Sequence, residues 1–390
     1  MDLLTELLLY YSLFLKLYSK FIRVQISTEM IENMLAFLCS FLINLQFKSI
    51  HQYEFEKYRY IFEGEEKYFE YVEKLTSGGD NAEAYFSFDG TKLVFQRSDY
   101  EKFMCDQIFI YDLKKKKYFL TSTGKGRTTC GYFMPDNKKI VYSSTHHLSP
   151  FCPEVPKLEL KRYYWPIFPY DIFLYDLESK KLEALTFNPL YDAEATVNKK
   201  GEIVFTSFRD GDIGVYLLDS KTKEVKKVIN FYGYEGGPFF MPDNEYIVYR
   251  AFYPENEEEF KSYKELLEKK VVAPLRLEIY LAKKDGTEIK KITNFGKISF
   301  APFPHPNGKY IIFSANLDVQ KPHNFDLYII KTDGTNLERI TFFDGFDCFP
   351  MFSWDGKYLV FSSNRVGEKE KETNIFLAKL SEDFIRKLEE

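Results

Sequence analysis

The chain is poor in the residue patterns that most often announce chemistry. Its five cysteines (Cys39, Cys105, Cys130, Cys152 and Cys348) form no CxxC pair, so the sequence offers no structural zinc site. No P-loop spacing occurs: GKGRTT at residues 124–129 lacks the GxxxxGK[ST] pattern and reads as a flexible loop. A Dx[DN]xDG calcium loop is missing, and no serine comes with a placed histidine and acid. Positive charge is not in excess either. The formal net charge is −5 and the pI about 5.8, which argues against nucleic acid as a partner.

What the chain does have is aromatic and β-forming. Hydrophobic residues make up 45% of its 390 positions, enough for a sizeable core, and aromatics 18%, with Phe 39 and Tyr 30. Both favour half-buried pleated surfaces, so an all-β protein is expected. The KKKK run at Lys114–Lys117 falls where a hairpin turn is predicted and reads as a solvated turn.

The first fifty residues differ from the rest. Residues 3–22 are apolar but carry Glu6, Lys16 and Lys20, a poor spanning helix. Residues 35–47 (LAFLCSFLINLQF) form an unbroken apolar run of signal-peptide length, preceded by Glu29 and Glu32 and followed by no small-x-small cleavage site. Residues 1–50 are predicted to be a signal peptide or membrane tether, with Met30 or Met34 as alternative starts and a soluble helical cap as the alternative reading. A linker is expected over 51–66.

From residue 67 onward one pattern recurs. FSFDGTKLVF (residues 86–95) returns almost unchanged as FSWDGKYLVF (residues 352–361). Between them lie YFMPDNKKIVY (132–142), ATVNKKGEIVF (195–205), FFMPDNEYIVY (239–249) and FPHPNGKYIIF (303–313). The third is a degraded copy with Lys199-Lys200 at its turn. Each copy predicts a hairpin whose Asp-Gly, Asp-Asn or Asn-Gly turn tolerates positive φ. Each closes on an aromatic: Phe95, Tyr142, Phe205, Tyr249, Phe313 and Phe361. A second strand pair follows most hairpins, as in residues 107–122, 171–186 and 326–341. Four strands in roughly 45 residues is the period of a propeller blade, so six copies predict a six-bladed β-propeller over 67–390. The sixth unit has its third strand at 374–380 and then a short helix capped by Ser381. Its fourth strand is predicted to come from residues 68–75, closing the ring and removing an exposed edge.

The FSxDGxxhhF hairpin followed by a DLYhhxxDGTxxxxIT strand pair resembles the TolB-like, WD-like (PD-type) propeller repeats of bacterial envelope and secreted proteins. The resemblance covers roughly 67–390, and the segments GGDNAEAYFSFDG, GKGRTTC, YWPIFPYDI and YDAEATV look like an exported subfamily of unassigned activity. It implies a periplasmic or secreted interaction protein. The long insertions, and the lack of a counterpart to TolB's separate N-terminal α/β domain, put TolB's own lipoprotein partner in doubt. Related propellers also sit on prolyl-oligopeptidase-type peptidases, but there is no room here for a hydrolase domain and no GxSxG.

Strand order assigns residues to faces. The starts of the innermost strands supply Glu83, Arg127, Asp192, Glu194, Glu235 and Asp347, predicted to form an acidic ring with one arginine at the channel mouth. Such a ring needs a cation or a basic partner group, whether calcium, a Lys/Arg-bearing peptide or an amine; alternatively, each acid bonds the backbone amides of its own turn. Insertions at 146–170 and 255–270 separate second and third strands on the same face. They either build a rim or lid over the funnel or pack down on their own blades. The first carries His146, His147, Tyr163, Tyr164, Trp165 and Phe168, the aromatics being good partner anchors. The second predicts an amphipathic helix with Phe260, Tyr263, Leu266 and Leu267 on one side. His323 joins His146 and His147 on this face, where a metal-dependent lyase on a related propeller would place histidines. Cys105, Cys130 and Cys152 also map there, and a disulfide between two of them is expected in an exported chain, the pair being open. The expected function is a monomeric, non-catalytic propeller of the envelope that binds a protein, peptide or glycan without an established cofactor. The alternative is a metal-assisted carbohydrate lyase or hydrolase on the same face.

Overall fold

A computed structural model describes residues 60–99, 102–160, 163–317, 324–367 and 372–390, besides the lone Leu38. The expected tether at 1–50, most of the linker, His51 and His323 lie outside the described residues. Blade one is β2 (Asp80–Phe86), β3 (Lys92–Asp99), β4 (Phe103–Asp112) and β5 (Lys117–Leu120). Blade two is β6 (Thr128–Phe133), β7 (Lys139–Ser144), β9 (Asp171–Asp176) and β10 (Leu182–Ala184), with β8 (Trp165–Pro166) in its insertion. Blade three is β11 (Tyr191–Val197), β12 (Ile203–Arg209), β13 (Asp212–Leu218) and β14 (Val225–Lys227). Blade four is β15 (Tyr234–Phe240), β16 (Tyr246–Phe252), β18 (Glu278–Lys283) and β19 (Lys290–Lys291), its insertion holding helix α1 (Glu257–Glu268) and β17 (Val271–Val272). Blade five is β20 (Ser299–Pro304), β21 (Tyr310–Ala315), β22 (Asp326–Lys331) and β23 (Glu338–Arg339). Blade six is β24 (Asp347–Phe352), β25 (Tyr358–Ser363), β26 (Asn374–Leu380) and, as its fourth strand, β1 (Phe69–Lys74). The fold is therefore a six-bladed propeller of four-stranded antiparallel sheets. It is closed by β1 pairing antiparallel with β26, from Phe69 opposite Leu380 to Lys74 opposite Phe376. Helix α2 (Glu382–Glu389) follows, its N-cap Ser381 accepting from the Phe384 amide.

The aromatic excess has a periodic cause. The six closing aromatics are at most 1% exposed. Each lies directly opposite an aromatic on the third strand of its blade: Phe95–Phe109, Tyr142–Phe173, Phe205–Tyr216, Tyr249–Tyr280, Phe313–Tyr328 and Phe361–Phe376. The ring centroids of these pairs lie 5.7–6.4 Å apart. Such pairs contribute about 0.5–1.5 kcal/mol each beyond their area burial, so one aromatic ladder is repeated around the ring.

The copy at residues 195–205 is less degraded than its sequence suggests. Gly201 donates to the Asn198 carbonyl just as Gly90 donates to Ser87, and it takes φ +82° where Gly90 takes +68°. The turn glycine is in register, and Lys200 merely replaces the aspartate before it.

Candidate functional site

Every inner strand carries a β-bulge at the same level. Register breaks between Ala82 and Tyr85, Thr129 and Tyr132, Ala193 and Thr196, Gly236 and Phe239, Phe300 and Phe303, and Cys348 and Met351. The bulged residues Glu83, Cys130, Glu194, Gly237, Ala301 and Phe349 all have φ between +50° and +57°. Only one is glycine. A left-handed L-residue costs roughly 1–2 kcal/mol, so the six bulges hold the strands in a geometry that local propensity opposes.

Two residues after each bulge stand Tyr85, Tyr132, Thr196, Phe239, Phe303 and Met351, all buried. Four of them meet across the axis: Tyr85–Tyr132 at 5.5 Å, Tyr85–Phe239 at 5.6 Å and Phe239–Phe303 at 5.2 Å between centroids. The channel is plugged there. Above the plug, a collar of bulge residues and a mouth layer with Asp80, Arg127, Tyr191, Tyr234, Ile298 and Phe346 form a closed-bottomed funnel.

The layer between mouth and collar points elsewhere. Asn81, Thr128, Asp192, Glu235, Ser299 and Asp347 are all 0% exposed. Asp192 takes a bidentate pair from Arg209 (2.7 and 2.9 Å) and a bond from Ser207 (2.5 Å). Asp347 takes Arg365 at 2.6 Å, and Asn81 takes Arg97 at 2.8 Å. Arginine on the second strand in blades one and three, and two residues past its end in blade six, thus clamps the start of the first strand. Glu235 accepts from the Tyr253 hydroxyl (2.9 Å) and the Val215 amide (3.2 Å). Of the six residues expected around the ring, only Glu83 and Glu194 stand in the collar and Arg127 at the mouth. Asp192, Glu235 and Asp347 are structural partners inside the blades. The bulge explains the division: these three sit two positions before it, where unbroken alternation would put them on the axis face, and the inserted residue turns them away.

The blade-one side of the funnel gathers acids. Arg127 pairs with Asp106 at 2.6 Å and lies 5.2 Å from the Phe168 ring. Burial raises the Asp106 carboxyl despite that arginine, and burial followed by the Asp106 charge raises Asp80. Burial pushes Glu83 up to about 7, opposed by a hydrogen bond from Cys130 and reinforced by Glu194. Burial also pushes on Glu194, but Arg250 (2.5 Å), Thr206 (2.7 Å) and the Gly237 amide (2.8 Å) outweigh it and hold its carboxyl below the usual value. Asp80, Glu83, Asp106 and Glu194 against Arg127 and Arg250 leave an excess of two carboxyl groups, neither Asp80 nor Glu83 having a cation in contact among the described residues.

The two insertions meet above the other side. β8 pairs with β17, Trp165 opposite Val272, forming a strap from blade two to blade four. Trp165 stacks 6.3 Å from Tyr234. Ile167 and Val272 share one apolar cluster with Tyr263, Leu267, Phe300, Ala301 and Cys348. Helix α1 starts at the N-cap Asn256, buries Tyr263, Leu266 and Leu267, and ties Tyr263 to Asp212 at 2.8 Å. Phe260, expected with them, is 44% exposed. Tyr164 is held within the insertion, its hydroxyl donating to the Pro156 carbonyl at 2.7 Å. Tyr163 is 67% exposed and its hydroxyl feels the charges of Asp80, Asp106 and Arg127. Cys105 and Cys152 are the disulfide pair, tying the first insertion to β4, while Cys130 and Cys348 are buried thiols.

His146 and His147 stay together on blade two, with Ser144 at 2.8 Å and Asp171 at 3.1 Å. His305 lies on the opposite face beside Phe352. Among the described residues, no three His, Cys, Asp or Glu side chains group closely enough to hold a metal ion.

One consequence is readable in solution. Burial pushes the Glu235 carboxyl up to about 8 from 4.5. The folded protein therefore keeps a proton that the unfolded chain releases. Its stabilising contribution is full below about 4.5 and is lost as pH rises through about 8. Glu235→Gln should flatten the fall in stability over that window by up to about 1.4 kcal/mol per pH unit. Urea unfolding across the window checks this, and superimposable profiles for the two proteins would refute it.

No protein-family model and no curated protein matches the sequence. Solved structures do match in fold. A putative TolB from Agrobacterium tumefaciens is 16% identical with a TM-score of 0.50, over 78% of this chain and 91% of that one. A gluconolactonase from Xanthomonas campestris is 12% identical with a TM-score of 0.52, over 80% and 89%. TolB from Acinetobacter baumannii is 18% identical with a TM-score of 0.48; the match covers 78% of this chain and 64% of that one.

Proposed function

We propose that the protein is a non-catalytic binding module of the cell envelope whose funnel takes a basic group, a lysine or arginine side chain of an exported protein or peptide. The observation that carries this is the partly buried pair Asp80 and Glu83, neither with a cation in contact among the described residues, with Asp106 near Asp80 and the exposed Tyr163 close enough to feel the Asp80 charge. An ammonium or guanidinium group there would relieve carboxylate repulsion and gain an aromatic face. The strap residues Ile167 and Val272 pack in one apolar cluster with Ala301 of the collar. An exported location is supported by the Cys105–Cys152 disulfide. Among the described residues, no helix is long and apolar enough to cross a membrane.

The chain has two tryptophans, Trp165 in the strap and Trp354 on the far face, so Trp354→Phe leaves a reporter beside the funnel. Trilysine and triarginine peptides should change Trp165 emission saturably, with a dissociation constant below about 1 mM. Asp80→Asn with Glu83→Gln should weaken binding at least about tenfold and flatten its salt dependence. Equal affinity for the neutralised protein would refute the reading, as would a response equally strong with triglutamate.

A further inference from the structure

A cavity of about 600 Å³ lies on the face away from the strap, where blades one and six meet. Its inner wall is built from the duplicated decapeptide. Phe88 of the first copy and Trp354 of the last stack 4.8 Å apart with planes 11° from parallel, and the Trp354 indole donates to the Ser87 carbonyl at 3.1 Å. First and last repeats become neighbours only because the ring closes. Tyr71 of the closing strand, Tyr111 of β4 and Tyr358 of β25 complete an aromatic enclosure.

The charges of the cavity are unbalanced. Glu73, Asp89 and Asp355 line it against Lys116, the one cation among its described lining residues, with Lys92 acting on Asp89 and Lys199 on Trp354 from outside that lining. Lys116 is already paired with Glu73 at 2.6 Å. The two aspartates hold equivalent places in the repeat and are used only on one side. Asp89 receives Ser87, the Thr91 amide and the Thr91 hydroxyl all on Oδ1, and Asp355 receives Ser353 and the Lys357 amide on Oδ1. Each leaves Oδ2 for an incoming donor. Burial acts to raise the Asp89 carboxyl, but the Ser87 and Thr91 bonds outweigh it and hold it below its usual value, so it is ionised at neutral pH. One aromatic here already accepts a cation: the Lys199 ammonium lies 5.4 Å from the Trp354 ring centroid.

We propose that this cavity is a second binding site, independent of the funnel, for an amphipathic organic cation: an ammonium or quaternary ammonium group on an apolar body of small-molecule size. The volume lies within the roughly 300–1,000 Å³ of small-ligand sites, aromatic walls suit both the apolar body and the charge, and Asp89 and Asp355 supply the counter-charge. A neutral sugar would gain the aromatic faces but leave both carboxylates uncompensated.

Trp165→Phe leaves Trp354 as the sole reporter, and calorimetry on the unaltered protein supplies a measurement independent of that substitution. The probes are benzyltrimethylammonium, phenethylamine and spermidine, with benzyl alcohol and cellotriose as neutral controls. At least one cation should bind saturably below about 1 mM. Asp89→Asn with Asp355→Asn should weaken it tenfold or more, since asparagine keeps the Oδ1 acceptor of each turn and replaces the charged Oδ2 acceptor by a neutral donor. Asp80→Asn with Glu83→Gln in the funnel should leave this affinity unchanged. Three results would overturn the proposal: no saturable signal from any cation by either method, equal or tighter binding of cellotriose or benzyl alcohol, or an affinity indifferent to the two aspartates. Because the funnel and cavity variants do not overlap, failure at one site is distinct from failure at the other.

Discussion

Arg365→Met is expected to lower the unfolding free energy by about 3–5 kcal/mol, the largest single-residue effect anticipated in the propeller. Arg365 is 0% exposed, as are both carboxylates it binds, Glu65 and Asp347. Its guanidinium reaches Asp347 at 2.6 Å, Glu65 at 3.1 and 3.2 Å and the Tyr60 carbonyl at 2.8 Å, and lies 4.9 Å from the Phe361 ring. Nearby, Asp326 pairs with Arg339 at 2.8 Å; burial pushes its carboxyl up to about 7, with Asp347 and Glu65 adding to the rise. Methionine fills the volume but strands two buried carboxylates beside a third. Glu65 lies just ahead of the closing strand, so the network also fastens the segment that completes blade six. The electrostatic account predicts partial rescue: adding Glu65→Gln and Asp347→Asn to Arg365→Met should restore stability, because the stranded charges are gone. Urea unfolding of the single and triple variants decides. A triple variant no more stable than the single one would place the loss in packing instead.

Architecture was legible because a propeller repeats its physics. The closing aromatics, the turn residues and the blade period are local patterns that recur six times, and even the borrowed strand could be placed from what blade six lacked. The funnel was less legible for a specific reason. Strand order places a residue at the start of an inner strand but not on a face of it, and a single inserted residue resets which side chains face the axis. Glu83 and Glu194 sit on the bulge itself, whereas Asp192, Glu235 and Asp347 sit two positions earlier and turn inward. One signal could have separated them. Arg97, Arg209 and Arg365 follow Asn81, Asp192 and Asp347 by 16, 17 and 18 positions, a periodic pairing that marks a structural clamp. Asp80 and Asp106 carry no such signature. They enter the site through the fold alone, as does Glu65, which comes from a segment with no repeat to align. The cavity at blades one and six was present in the sequence as its most conspicuous duplication, but its meaning depends on ring closure bringing residues 88 and 354 into contact.

Loss of the Cys105–Cys152 disulfide should cost nearly as much as loss of Arg365, by a different route. The bond closes a loop with a sequence separation of 47, and a loop of that length restricts the unfolded chain by about 4 kcal/mol in the chain-entropy description, measured values being typically 2–4. Cys105→Ala with Cys152→Ala should therefore lower the unfolding free energy by about 2–4 kcal/mol. Dithiothreitol should produce a comparable shift in the unaltered protein and none in the variant. The folded-state consequence is local. Cys152 belongs to the insertion that leads to Trp165; its neighbour Phe151 is 78% exposed, and the Gly126 amide donating to the Pro150 carbonyl at 2.9 Å is a further tie of this stretch. Without the disulfide, the strap keeps its pairing with β17 and the Tyr263–Asp212 bond but loses its tie to β4. Proteolysis should then fall first within residues 146–160, before global unfolding. The trilysine affinity of the funnel should drop as Tyr163 loses its place near Asp80 and Asp106. If reduction shifts the variant as much as the unaltered protein, the stabilisation lies outside this bond. If cleavage begins elsewhere, the disulfide does not hold the strap. Should both expectations hold, an oxidising compartment is a condition for the complete funnel, and the bond behind the proposal of export also fixes the geometry of the proposed binding face.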